Sequence, residues 1–351
     1  MNKLVIIGNG FDLAHGLKTR YSDFILWYLN EAIVALNTKL FYNDGLIKLL
    51  TGNNPKKIDF FKSIYDFKKA YKMEQFEIDY QHDFINNLIN NLGNLNWVDI
   101  ESEYYKLLID YYKDIENGEF AISGLNDSFE IIKTELQQYL STVEIKLEPN
   151  ENVQRKMNKD IQNHLMKIKD NVNKSEPNNI LFLNFNYTST IELYKTLFDE
   201  NQFRVNYIHG KLNNESNPII FGYGDEIDSY HEKIEQLNNN DFLKNFKSFG
   251  YSMTRNYQDL FKFLGMGNRK LKYEVHIMGH SCGLSDRVLL NGIFEHENCE
   301  KIKIYYHQKD EFSNDYVEKR MDISRHFKAE SKGKMRLIID SFPDSKPLTS
   351  S

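Results

Sequence analysis

The chain has 351 residues, is 41% hydrophobic and 14% aromatic, and carries a formal net charge of -6. That composition excludes a disordered chain and argues against a globally basic nucleic-acid binder, while the length admits two domains or one α/β domain with a large insertion. Two cysteines, Cys282 and Cys299, are too few for a disulfide framework or a four-thiolate zinc site.

The sequence holds no run of about 18 apolar residues, and its start has no apolar leader ending in a small-residue cleavage site, so a cytoplasmic protein with no membrane partner is expected. The first element is the apolar run Leu4-Val5-Ile6-Ile7, which stops at Gly8-Asn9-Gly10 and gives way to Phe11-Asp12-Leu13-Ala14. This is the pattern of a buried strand feeding a phosphate-binding turn, where Gly8 and Gly10 keep a Cβ out of the way of an anion. Asp12 is placed to cap the following helix. Leu13 stands where G-x-G-x-x-G needs its third glycine, and no second strand ending in an acid follows, so the turn departs from the dinucleotide fingerprint.

A helix is expected from Thr19-Arg20-Tyr21 to about Ala35. From 36 to 175 apolar residues recur at three- and four-residue spacing, as in Phe76, Tyr80, Phe84 and Leu88, which reads as a helical insertion. Turns are expected at Gly52-Asn53-Asn54-Pro55 and Asn91-Leu92-Gly93-Asn94, and a loop over 171–179. Strand character returns in Ile180–Asn186, Arg204–Gly210, Pro218–Asp225, Glu274–Ser281 and Ile302–His307, with a helix starting near Thr188 or Ser189 and a helical stretch over 227–265. Strands alternating with helices imply an α/β fold with a parallel, doubly wound Rossmann-like sheet. Its core is 1–35 with 176–342, interrupted by the insertion, and 343–351 reads as a disordered tail.

In such a sheet, ligands collect beyond the carboxyl ends of the strands. Gly8-Asn9-Gly10, Asn184 and Asn186, His209-Gly210, Gly222-Tyr223-Gly224-Asp225 and Gly279-His280-Ser281 all fall at that edge. Asn184 and Asn186, two apart in a strand, share a face. His209 either closes its strand or acts as a base; His280 either contacts ligand or caps backbone. His276 and His280 are four apart in a strand-turn context and do not form a helical zinc pair, so no metal site is expected. Lys244, Lys247, Arg255, Lys262, Arg269 and Lys270 form the one basic stripe, which reads as a solvated helix face more readily than a nucleic-acid groove.

The opening Gly8-Asn9-Gly10-Phe11-Asp12, with Gly16-Leu17-Lys18-Thr19 and Tyr21-Ser22-Asp23-Phe24, resembles the bacteriophage abortive-infection AbiH family. Asn206-Tyr207-Ile208-His209-Gly210, Ile277-Met278-Gly279-His280-Ser281 with Ser285-Asp286, and Trp97-Val98-Asp99-Ile100-Glu101 also look like that family. The last segment reads otherwise as helix packing, with Trp97 and Glu101 on one face, or as a homo-oligomer contact in the insertion. More distantly, the motifs are similar to the sirtuin-like NAD-binding core of antiphage NADases. That resemblance implies NAD as substrate, with Gly8, Gly10 and Asp12 at the phosphates, Asn186 at the ribose, His209 as base, and Gly279 and Ser281 on the adenosine side; Asn9, Asn184 and His280, beside them at the same edge, complete the candidate cofactor contacts. Asp12 stands where that family has Ser. The function implied is NAD+ hydrolysis in antiphage defence; a nucleotide-sensing binding module and a nuclease or RNA-cleaving toxin are the alternatives.

Overall fold

The computed structural model describes residues 1–52, 57–91, 97–143, 147–162, 179–199, 202–224, 229–265, 267–268 and 271–349. The expected turns at 53–55 and 92–94 and most of the expected loop over 171–179 lie outside the described residues, as do Asp225, Arg269 and Lys270.

The strands in chain order are β1 (Asn2–Ile7), β2 (Phe41–Asn43), β3 (Ile47–Thr51), β4 (Phe76–Tyr80), β5 (Ile180–Asn184), β6 (Arg204–Tyr207), β7 (Tyr273–Met278), β8 (Cys299–Tyr306) and β9 (Lys346–Pro347). Six of them form one sheet in the order β6-β5-β1-β7-β8-β9, and every pairing in it is parallel. The chain thus builds outward from β1 in one direction and then returns to build outward in the other, which is a doubly wound α/β fold. The switch in strand order lies between β1 and β7.

β1 is buried along its whole length, so its two faces feed two cores. Leu4 and Ile6 join Leu183, Val275, Ile277 and Ile304 under the helices Asn256–Phe263 and Arg287–Phe294. Val5 and Ile7 join Phe182 and Met278 under Val153, Met157 and Ile161. The latter three come from the helix Glu151–Lys156 and the π-helical turn Met157–Gln162. The chain is therefore back on the sheet by about 150, inside the span expected to be insertion.

A third core joins the helices Tyr21–Lys39, Asp83–Asn90, Trp97–Lys113 and Ile115–Val143. It takes in Tyr21 and Phe24, so the helix expected to close the first part of the sheet core packs on the insertion instead. The insertion is not purely helical: β2, β3 and β4 form an antiparallel three-stranded sheet within it. Phe76, Ile78 and Tyr80 alternate with exposed Glu77 and Asp79. A spacing of four satisfies both a strand of period two and a helix of period 3.6, which is why Phe76 and Tyr80 read as helical.

Three further elements depart from expectation. Pro218–Gly224 is not a strand; Ile220 donates to His209 O and Tyr223 makes a single bridge to Phe246, with Gly222 so close to Asn245 O that a Cβ would lie 2.1 Å away. The stretch 227–265 breaks into short helices, Ser229–Gln236, Lys247–Tyr251 and Asn256–Phe263. The tail is ordered through 349: β9 pairs with β8, and Leu348 N donates to Tyr306 O at 2.7 Å. Among the described residues no helix is long and apolar enough to cross a membrane.

Candidate functional site

The loops at the carboxyl ends of the parallel strands surround a cavity of about 900 Å³ at the switch point. Its lining includes Gly8, Asn9, Gly10 and Asp12 after β1, Asn186 after β5, His209 after β6, and Gly279, His280 and Ser281 after β7. Asn184 is not among the described lining residues. Its Nδ2 donates to Thr188 O at 3.0 Å and its Oδ1 accepts from Asn186 N, so this buried amide closes the 184–188 turn. Asn186 sits at the same edge and does line the cavity, and its Nδ2 donates to Gly8 O at 3.0 Å.

The glycine turn is built differently from an anion cradle. Gly8 N donates to Met278 O, and Gly10 N donates to Gly279 O at 2.8 Å, so both amides are spent on the neighbouring strand end. A Cβ on Gly8 would lie 2.5 Å from His280 Cα, and one on Gly279, which has φ +75°, would lie 2.1 Å from Phe11 N. These glycines let the β1 and β7 loops touch. Asn9 is held by Thr19, whose carbonyl accepts from Asn9 Nδ2 at 3.0 Å. Asp12 is not the cap of the helix that follows β1: the N-cap of Asn9–Ala14 is Gly8, and Asp12 lies within that helix, accepting from Thr188 Oγ1 at 2.7 Å.

The centre of the cavity wall is a buried charge cluster. Lys247 Nζ lies 2.9 Å from both Glu101 Oε2 and Asp286 Oδ1. Asp286 Oδ1 is also 3.2 Å from His209 Nε2, and its Oδ2 is 3.6 Å from His280 Nε2. Burial alone would raise the Asp286 carboxyl, but Lys247 and His209 outweigh it and hold the group well below the usual carboxylate range. For Lys247 burial works against the charge, and Asp286 with Glu101 reverses it, so the ammonium is held above its ordinary value. Glu101 goes the other way: burial pushes its carboxyl up, Lys247 opposes this, and the Asp286 charge adds to it.

His209 is kept neutral, because burial and the nearby Lys247 lower its pKa more than Asp286 raises it. An ionised carboxylate can only accept, so His209 Nε2 carries the proton toward Asp286 and Nδ1 keeps the basic lone pair. Tyr251 OH is a second neighbour of Nε2, at 3.1 Å. His280 is fixed in a definite tautomer too: its Nδ1 accepts from Cys282 N at 2.9 Å, leaving Nε2–H for Asp286. The arrangement is a neutral histidine oriented by an ionised carboxylate, which suits proton abstraction near neutral pH.

Asp286 carries the site, and in the sequence it is visible only as part of a motif. Lys247, in the sequence one residue of a basic stripe, is 2% exposed and cannot serve a nucleic-acid surface, while Lys244, Arg255 and Lys262 are exposed. A lysine at one position of a short helix gives no sign in sequence of the two acids that meet it from distant segments. Glu101 belongs to the Trp97–Glu101 segment and turns inward to Lys247; the side chains of Trp97 and Asp99 lie outside the described residues. Among the described residues no group of three or more His, Cys, Asp or Glu side chains is disposed to hold a metal ion.

A family model described as "Bacteriophage abortive infection AbiH" matches residues 4–308, which take in the charge cluster, most of β1 and strands β5 to β8 of the large sheet, but not β9. No curated protein and no solved structure matches the chain.

Proposed function

The chain belongs to the bacteriophage abortive infection AbiH family, and from that premise we propose that it acts in abortive infection as an NAD+ hydrolase. The observation that carries this reading is the pair His209 and Asp286, 3.2 Å apart in the wall of a dinucleotide-sized cavity that Asn186 also lines. NAD+ and water would give nicotinamide, ADP-ribose and a proton. The bond between ribose C1′ and the pyridinium nitrogen breaks, its electron pair neutralises the ring, and the water oxygen bonds to C1′.

His209 Nδ1 takes the proton from that water as general base, and Asp286 holds the imidazole in the tautomer that leaves Nδ1 free. Asn186, anchored through Nδ2 to Gly8 O, keeps its Oδ1 as acceptor for a ribose hydroxyl or the attacking water. Because the Gly8 and Gly10 amides are engaged, the diphosphate is assigned to side-chain cations. Arg20 and Lys319 both line the cavity and are at least partly exposed. Consuming NAD+ stops the metabolism a phage depends on, which is the logic of abortive infection.

The test is to incubate the purified chain with NAD+ and measure nicotinamide release, with His209→Ala as the comparison. Loss of at least about 10²-fold in rate, at unchanged circular dichroism, is expected for removal of a general base. Release by the variant at the parental rate would remove His209 from the chemistry.

A further inference from the structure

Behind the charge cluster lies a second cavity of about 390 Å³, and Lys247, Ser285 and Asp286 line it as well as the large one. The two cavities thus share one wall, and within it Asp286 is the residue that holds His209. We infer that the smaller cavity is a binding site for a neutral, planar heteroaromatic amide, with the Ser285 hydroxyl as its hydrogen-bond partner.

Size comes first: this volume is at the small end of ligand pockets, which run about 300–1,000 Å³. Charge comes next. Lys247 is already held by two carboxylates, and no other Lys, Arg, Asp or Glu is among the described lining residues besides Asp286. An anion would meet Asp286 with no cation to spare, and a cation would have to compete with Lys247, so a neutral ligand fits. The shape of the wall supplies planarity: the Tyr251 and Tyr257 rings are stacked, with centroids 5.8 Å apart and planes at 24°, and Val288 and Leu289 add an apolar surface. Such a wall favours a flat ring over a flexible chain.

Ser285 supplies the polar demand. It is 1% exposed, and its Oγ has no hydrogen-bond partner among the described residues. Buried hydroxyls are ordinarily satisfied, and a ligand amide that reaches this one gains a bond the empty protein lacks. The source of such a ligand rests on the glycohydrolase reading, since nicotinamide is the leaving group there and the shared wall stands beside His209. The binding itself rests on the cavity alone.

The experiment is saturation-transfer NMR on the full chain with nicotinamide as probe and no NAD+ present. Saturable binding is expected, weakened about tenfold by Ser285→Ala, the loss of one hydrogen bond. Ser252→Trp at the exposed rim should block it without touching the buried wall. Benzamide should compete, whereas benzoate, with the same ring and a negative charge, should not. Absence of nicotinamide binding, binding indifferent to both variants, or equal binding of benzoate would overturn the assignment. If nicotinamide binds as described and none is released from NAD+, the site stands and the hydrolase reading falls. If NAD+ is cleaved while free nicotinamide does not bind, the site alone falls.

Discussion

Lys247 Nζ lies 2.9 Å from Asp286 Oδ1 and 2.9 Å from Glu101 Oε2, with all three side chains at most 8% exposed. Glu101 comes from a helix of the inserted module and Asp286 from the turn that follows β7, so one ammonium ties the module to the edge of the sheet. The same ammonium lowers the basicity of His209 and fixes the charge of the group that orients it.

Replacing Lys247 by Met should therefore be costly in a way its own packing does not explain. It leaves Asp286 buried without its main counter-charge and lets Glu101, whose carboxyl burial already pushes up, take a proton, and breaking a buried pair by removing one partner costs about 3–5 kcal/mol. Urea unfolding at pH 7 measures it. A loss below about 1 kcal/mol would mean that solvent reaches the cluster and that the exposed-pair regime applies.

Asp286→Asn separates orientation from charge. The amide has the shape of the carboxylate but can donate, and so can favour the wrong histidine tautomer at Nε2. If His209 is the base, NAD+ cleavage should fall by about 10²-fold in kcat with little change in KM. The acid limb of the pH profile in the parent should lie below the ordinary histidine value of 6.5, because burial, with help from Lys247, lowers His209. A variant that loses affinity and keeps kcat would assign Asp286 to substrate binding alone.

The alternation of apolar runs with helices carries the parallel sheet, and polar strand ends point to the edge where the cavity lies. Those signals are local, and local patterns survive in a single sequence. The charge cluster does not show, because Glu101, Lys247 and Asp286 are 146 and 39 residues apart along the chain. Nothing in the neighbourhood of Lys247 marks it as buried. The tail reads as disordered for a related reason: Lys346 and Pro347 have no strand pattern of their own, and are held by pairing with β8 and by Asp160, whose Oδ1 lies 2.6 Å from Lys346 Nζ. Gly8, Gly10 and Gly279 do stand out in the sequence, yet they serve a different purpose, since a glycine that admits a phosphate and one that admits a neighbouring loop look alike there.

That last point can be tested by comparing two glycines with the same backbone sign. Gly279 has φ +75° and a Cβ there would lie 2.1 Å from Phe11 N, whereas Gly16 has φ +80° and a Cβ there would meet nothing within 4 Å among the described residues. Gly16→Ala should cost only the left-handed backbone penalty, about 1–2 kcal/mol. Gly279→Ala adds a backbone clash at the switch point and should cost clearly more in thermal or urea unfolding, and should distort the cavity. Equal losses would show that the β1 and β7 loops separate easily and that their contact does not shape the site.

His326 gives a pH dependence that is independent of the reaction. Its Nε2 donates to Cys282 O at 2.8 Å, while Nδ1 is buried with no hydrogen-bond partner among the described residues. Burial is the main cause that lowers its pKa from 6.5 to about 4. The unfolded chain takes up the proton near the ordinary value, and the folded chain refuses it until near the lowered one. The resulting stability is fully present above about 6.5, and is lost as pH falls toward 4. At 1.36 kcal/mol per unit the loss approaches about 3 kcal/mol. Urea unfolding at pH 7, 5.5 and 4.5 should show a decline that His326→Gln makes shallower, since glutamine can keep a donor for Cys282 O and has no proton to gain. His276, lowered to about 4 by its own burial, contributes a parallel decline that the variant leaves in place. An identical slope in parent and variant would show that His326 is already protonated in the folded chain or reached by water.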